Sequence, residues 1–203
     1  MKNPSNEKLP TKFYIRNVLK VANNLLGKTL VINRKGKILS GKIVEVEAYD
    51  GSCDEAAHTF NGKTKRNEVM FEPGGLLYVY FTYGMYHCAN VVTGKKDERT
   101  AVLLRALEPV EGIEEMALNR FGKKQITEKQ KLNLTSGPGK LCMALGINKS
   151  LNGISLIGDE IYILDNKKNP KDKIVTATRI GITKSKELPW RFYIKDNPYI
   201  SKK

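Results

Sequence analysis

Between Val44 and Tyr49 the chain reads Val-Glu-Val-Glu-Ala-Tyr, an unbroken two-residue alternation. In an extended strand successive side chains point to opposite sides, so Val44, Val46 and Ala48 share one face and Glu45, Glu47 and Tyr49 the other. The run predicts a strand with a buried apolar face and, opposite, two carboxylates beside an aromatic ring. A carboxylate in a positive, partly apolar groove can act as general base toward water, a role worth about 10²–10⁴ in rate.

The setting makes those acids conspicuous. Lys and Arg total 35 against 21 Asp and Glu, a net charge of +14. Such a balance suits a polyanionic partner as well as plain solubility. Basic residues are scattered over Lys28–Lys42, Arg120–Lys131, Lys167–Lys173 and Lys184 to the end, which predicts a broad positive face. Ile43 to Ala57 is the exception, with Glu45, Glu47, Asp50, Asp54 and Glu55 and no Lys or Arg. Asp50, Asp54 and Glu55 follow or flank Gly51 and precede Ala56-Ala57, the pattern of a solvated turn or helix start.

The 203 residues are enough for one domain with one core, and no repeat, low-complexity tract or Pro/Gly/Ser linker divides them, so residues 1–203 are read as a single domain. Helical spacing marks residues 11–26, Pro109–Phe121 with Pro109 near its first turn, and a stretch from Ser136-Gly137-Pro138-Gly139 to about Gly146. Strands are predicted at Thr29–Asn33, Gly41–Tyr49, Thr100–Leu107, Ile161–Leu164 and Ile174–Ile182, with a long loop from Asp50 to Pro73. Two β-rich runs flank Tyr83-Gly84-Met85 and predict a protruding hairpin with its tip near Tyr83. The end of the chain is read as irregular, anchored by Trp190, Phe192 and Tyr193. Strands with helices at the margins, lacking regular β-α-β alternation, predict an α+β fold: a mixed, mostly antiparallel curved sheet with peripheral helices.

Several chemistries drop out. No apolar run is long enough to span a bilayer, and the start, Met1 to Glu7, has no signal-peptide core, so a soluble, non-secreted protein is expected. Cys53, Cys88 and Cys142 are odd in number and far apart, and are read as buried thiols. With His58 and His87 the only histidines, a multi-histidine metal site cannot form, and no nucleotide-binding glycine motif occurs. Neither metal nor cofactor is expected.

Aromatic residues are the remaining signal. Tyr78, Tyr80 and Tyr86 fit sheet packing, and Tyr80, Tyr49 and His58 equally fit platforms for a base. Tyr83 at a hairpin tip has no core to pack on; on a basic protein an exposed wedge of this kind can enter a groove and unstack bases. Arg105 in an apolar run suits either an ion pair, as with Glu108, or a phosphate contact. Ser136-Gly137-Pro138-Gly139-Lys140 suits either a helix cap or a helix N-terminus receiving a phosphate.

Taken in order, Val44-Glu45-Val46-Glu47-Ala48-Tyr49, Asp54-Glu55-Ala56-Ala57-His58, Arg66-Asn67, Met70-Phe71, Pro73-Gly74, Leu77-Tyr78-Val79-Tyr80, Tyr83-Gly84-Met85-Tyr86, Asn90, Leu103 to Pro109, Ser136-Gly137-Pro138, Lys140-Leu141-Cys142, Arg179-Ile180-Gly181 and Arg191-Phe192-Tyr193 resemble the methylpurine (3-methyladenine, alkyladenine) DNA glycosylase family. The resemblance spans about residues 15 to 200. It implies a monofunctional enzyme, without lyase activity, that flips a damaged purine from double-stranded DNA and hydrolyses its N-glycosidic bond. Glu47 would be the general base, helped by Arg105 and the backbone carbonyl of Ile180. Tyr49, His58 and Tyr80 would sandwich the flipped purine, with the His58 backbone amide at its Watson–Crick edge. Asn90 would crowd the 2-amino group of guanine, and Tyr83 would fill the gap left in the duplex. A monomer and a compact bacterial form, cytoplasmic and working at the nucleoid, are also implied. His87 and the charged segment Gly94 to Thr100 depart from the family pattern.

Two rival readings separate from this one by experiment. A metal-dependent nuclease would use Glu45, Glu47 and Asp50, although strand alternation turns Asp50 away from Glu47. A non-catalytic RNA- or tRNA-binding module is the other, because the family fold also resembles a small nucleic-acid-binding domain attached to a formyltransferase.

Overall fold

The alternating run lies at the heart of strand β3 (Lys37–Asp50), and β3 organises the sheet around it. The computed structural model describes residues 7–34, 36–82, 84–166 and 173–202. One edge of β3 pairs along its length with β6 (Thr100–Glu111). The other edge pairs first with β2 (Thr29–Arg34) and then, from Glu45 to Glu47, with β9 (Arg191–Ile194). Both edges at Glu47 are therefore occupied, and the carboxylates sit in the interior of the sheet.

The sheet runs outward from β3 through β2 and β7 (Ile161–Asp165) to β1 (Glu7–Lys8) on one side. On the other it runs through β6 to β5 (Tyr86–Thr93) and β4 (Leu77–Thr82), while β8 (Ile174–Ala177) extends β9. Every strand pairing among the described residues is antiparallel. With five α-helices at its margins among the described residues the molecule is α+β, as the sequence predicts.

Val44, Val46 and Ala48 are fully buried and join a core with Leu104, Ala106 and the apolar stripe of α2 (Val18–Leu25). The helix predicted over 11–26 is broken in two, because the Asn17 side chain accepts from the amides of Leu19 and Lys20 and caps α2, separating it from α1 (Thr11–Tyr14). Pro109 also differs from expectation: it lies in β6, beside a register shift opposite Ser40 and Gly41, where a missing N–H is tolerated. The turn into α3 (Ile113–Phe121) is made at Gly112, whose φ of 76° and contact with Leu39 leave no room for a side chain. α4 (Glu128–Leu132) and α5 (Pro138–Leu145) follow, and α5 packs on β5.

β8 stops at Ala177, short of the predicted Ile182, and Arg191–Ile194 near the chain end form a strand, β9, held by β3, with residues 195–202 irregular after it. Cys53 is exposed, not buried, whereas Cys88 and Cys142 are buried. The hairpin is present, with Thr82 opposite Tyr86 at its end and Phe81 and Met85 exposed on it. Tyr83 lies outside the described residues, as does most of the basic stretch Lys167–Lys173. Among the described residues no helix is long and apolar enough to cross a membrane.

Candidate active site

A pair of bulges in the β3–β6 ladder assembles the polar centre. Ile43 pairs with Leu107, Glu45 with Ala106 and Val46 with Leu104, so Val44 on one strand and Arg105 on the other have no opposite number. A bulged residue is re-aimed relative to its neighbours. Arg105 Nε lies 3.1 Å from Glu45 Oε1 and its Nη1 lies 3.2 Å from Glu47 Oε1. Alternation puts the two carboxylates on one face, and the bulge drops a guanidinium between them. Neither partner is Glu108, which pairs instead with Lys42.

Both carboxylates are fully buried, and their remaining partners differ in kind. Glu45 is consumed by structure: it also accepts from Arg191 Nη1 at 3.1 Å, the Ser201 amide at 2.5 Å and the Ser201 hydroxyl at 2.9 Å. Glu47 Oε1 accepts from the Ile180 amide at 2.7 Å, and Oε2 from the Tyr49 hydroxyl at 2.8 Å. A carboxylate offers about four lone-pair sites, and the Oε2 atom of Glu47 keeps one beyond Tyr49. Burial, which opposes the Arg105 charge, is outweighed by Glu47 and Glu45, and its pKa is raised. Burial and then Glu47 also raise the Tyr49 pKa, so this hydroxyl stays a donor.

Tyr49 and Arg105 open on a cleft of about 520 Å³, lined also by His58, Tyr80, Cys88 and Asn90. His58 and Tyr80 meet edge to face, 4.4 Å between centres, and Tyr78 lies 5.6 Å from Tyr80. A 4.4 Å edge contact admits no ring between His58 and Tyr80, so the pair forms one wall together. The His58 Nδ1 atom shares a 3.1 Å hydrogen bond with the Tyr78 hydroxyl. Burial and then the charge of Arg66 lower the His58 pKa, favouring neutral imidazole. Asn90, opposite Tyr78 in the hairpin, is buried and donates to the Tyr78 carbonyl at 3.2 Å. The Ile180 carbonyl lies 3.5 Å from Arg105 Nη1. Glu47, Arg105, Ile180, Tyr49, His58, Tyr80 and Asn90 are thus gathered at one place.

Two residues that hold this arrangement escaped the sequence reading. Asp54 is not a solvated turn residue: it is fully buried in a two-pronged ion pair with Arg179, at 2.5 and 2.8 Å. Arg179 also donates to the carbonyls of Ala48 and Ser185, and its guanidinium stacks 4.6 Å from the Tyr49 ring. It ties the loop bearing His58 to the loop bearing Ile180. Asn67 is the second; buried, it donates to the carbonyls of His58 and Gly62 at 2.7 and 3.0 Å and accepts from the Thr64 amide. Partners 125 residues apart leave no local spacing to read, although Asn67 and Arg179 both stand inside motifs.

The trio Glu45, Glu47 and Asp50 does not converge. Arg105 occupies the space between the first two, and Asp50 accepts from the Ser52 amide and hydroxyl. Among the described residues no group of three or more His, Cys, Asp or Glu is placed to share a metal ion. The Ser136–Lys140 segment opens α5, with Gly137 at its cap and Pro138 on the cleft.

Comparison with known proteins shows the family. A family model described as methylpurine-DNA glycosylase matches residues 12–198. A protein of Clostridium novyi (strain NT) is 50% identical over 203 residues, covering 97% of this chain and 100% of its own. One of Alkaliphilus oremlandii (strain OhILAs) is 54% identical over 203 residues, with the same coverage. One of Carboxydothermus hydrogenoformans is 52% identical over 196 residues, covering 96% of this chain and 99% of its own. All three have 3-methyladenine DNA glycosylase in their names. A match of this extent, spanning both walls of the cleft and the carboxylate behind it, places the chain in the methylpurine-DNA glycosylase family.

Proposed function

We propose that this protein is a monofunctional DNA glycosylase that takes a damaged purine out of duplex DNA into the cleft and hydrolyses its N-glycosidic bond. The observation that carries the reading is Glu47: a buried carboxylate, locked by Arg105, Tyr49 and the Ile180 amide, behind a cleft walled by aromatic rings and roomy enough for a purine. In this reading Tyr49 stacks on one side of the base and the His58–Tyr80 pair on the other, each stacked ring contributing about 1–3 kcal/mol against the few kcal/mol that flipping costs. Asn90, fixed by Tyr78, crowds the 2-amino group of a normal guanine. Tyr83 is the wedge that fills the vacated stack.

The bond to the base breaks as positive charge develops on the sugar. Glu47 stabilises that charge and takes a proton from the water that attacks C1′, while Arg105 and the Ile180 carbonyl orient the water. A purine alkylated at N3 or N7 leaves as a neutral base, whereas hypoxanthine or ethenoadenine must gain a proton as it departs. The products are the free base and an abasic site. No step calls for a metal, a cofactor or a second subunit, and no lysine nucleophile is involved.

The test uses purified protein in EDTA at about 100 mM salt, which moderates the phosphate contribution. Labelled duplexes carry one hypoxanthine or one ethenoadenine, and base release from methylated DNA is followed in parallel. Strand cleavage only after hot alkali, and absent in Glu47→Gln, is the expected result. No base release from any of these substrates would defeat the proposal.

A further inference from the structure

Two guanidinium groups stand against tyrosines of the cleft, and only one of them is neutralised. Arg179, beside Tyr49, is paired with Asp54. Arg66 lines the cleft with its guanidinium 5.5 Å from the centre of the Tyr80 ring and its Nη2 atom 3.4 Å from the Phe81 carbonyl. Among the described residues Arg66 has no carboxylate partner. The other cations on the cleft are balanced: Lys184 by Glu55, and Arg105 by Glu45 and Glu47. The wall formed by His58 and Tyr80 therefore carries an uncompensated positive charge, and its field reaches His58.

We propose that Arg66 is a specificity-determining residue that makes the cleft select purines by charge, favouring neutral lesions such as ethenoadenine and hypoxanthine over cationic N3- and N7-alkylated purines. The inference rests on the glycosylase reading and names the lesion class within it. A second cation entering a partly desolvated cleft is repelled more strongly than in water. The Tyr80 ring, already engaged by a guanidinium, has less to offer a cationic purine. A neutral purine suffers neither penalty, and its oxygen or nitrogen acceptors gain from a nearby guanidinium. Because Arg66 is exposed and screened, the discrimination is set at about tenfold and not more.

Binding, separated from chemistry, tests this. Duplexes are built with 2′-fluoro lesion nucleotides, in which the fluorine disfavours the oxocarbenium ion and keeps the base attached. One carries N7-methylguanine, one ethenoadenine, and a third is undamaged. Dissociation constants are measured for the wild-type protein, Arg66→Gln and Arg66→Lys, each divided by that for the undamaged duplex to remove contacts with phosphate. The preference for ethenoadenine over N7-methylguanine is expected to fall about tenfold in Arg66→Gln and to return in Arg66→Lys. A preference that is unchanged or increased in Arg66→Gln overturns the proposal. If the wild-type protein binds neither lesion more tightly than undamaged DNA, the glycosylase reading itself fails, and the assignment to Arg66 falls with it.

Discussion

Changing Asp54 to Asn isolates the charge that closes the site, since the substitution keeps volume and removes one unit of charge. Arg179 would then stay buried without a counter-charge, with one amide oxygen at position 54 and the carbonyls of Ala48 and Ser185 as its acceptors. Leaving one member of a buried ion pair without its partner costs about 3–5 kcal/mol, and the neutral acceptors that remain place this case near 3. That is a large part of the roughly 5–15 kcal/mol that holds a domain folded. At about 2–4 °C per kcal/mol for a chain of this size, the melting temperature should fall by about 6–12 °C. The assay is thermal unfolding by circular dichroism together with emission of Trp190, the one tryptophan of the chain, whose ring lies 5.5 Å from Arg179. The double variant Asp54→Asn/Arg179→Met carries no orphaned charge, and its loss should fall short of the summed single losses by at least about 1.5 kcal/mol. A drop below about 3 °C for Asp54→Asn, or strict additivity in the double variant, would refute the idea that this pair clamps the two loops.

Glu47→Gln should lower base release by at least about 10²-fold while duplex binding persists, as measured by single-turnover excision beside fluorescence anisotropy. Asn67→Ala leaves the His58 carbonyl without its donor; a loss of about 1–3 kcal/mol in denaturant unfolding is expected, with weaker lesion binding. His58 has a lowered pKa in the fold, so above its ordinary value of 6.5 both folded and unfolded chains hold it neutral. As pH falls through that value the unfolded chain takes up the proton first, and stability declines until the folded imidazole also titrates. The chain has two histidines, so proton NMR can follow His58 directly, and Arg66→Gln should move its titration upward.

How much of this was open to reading from residues alone is seen at β3. The Val44–Tyr49 alternation determined that a strand buries Val44, Val46 and Ala48 and sets Glu45, Glu47 and Tyr49 on a common face, because side-chain direction in a strand depends only on position. The hairpin, the α5 start and the long loop after Asp50 were legible for the same local reason, and the ordered motif series pointed to the family. Tertiary structure decided the rest. Which carboxylate is spent on the fold and which is left behind the cleft with a free acceptor site depends on a bulge at Arg105 and on Ser201, 156 residues from Glu45. Asp54 looks like a turn residue until Arg179 is brought to it, and Arg66 stands out only once every other cation on the cleft is seen to be paired. Burial and long-range pairing set the energies of charged groups, and neither is encoded in the spacing of neighbours along the chain.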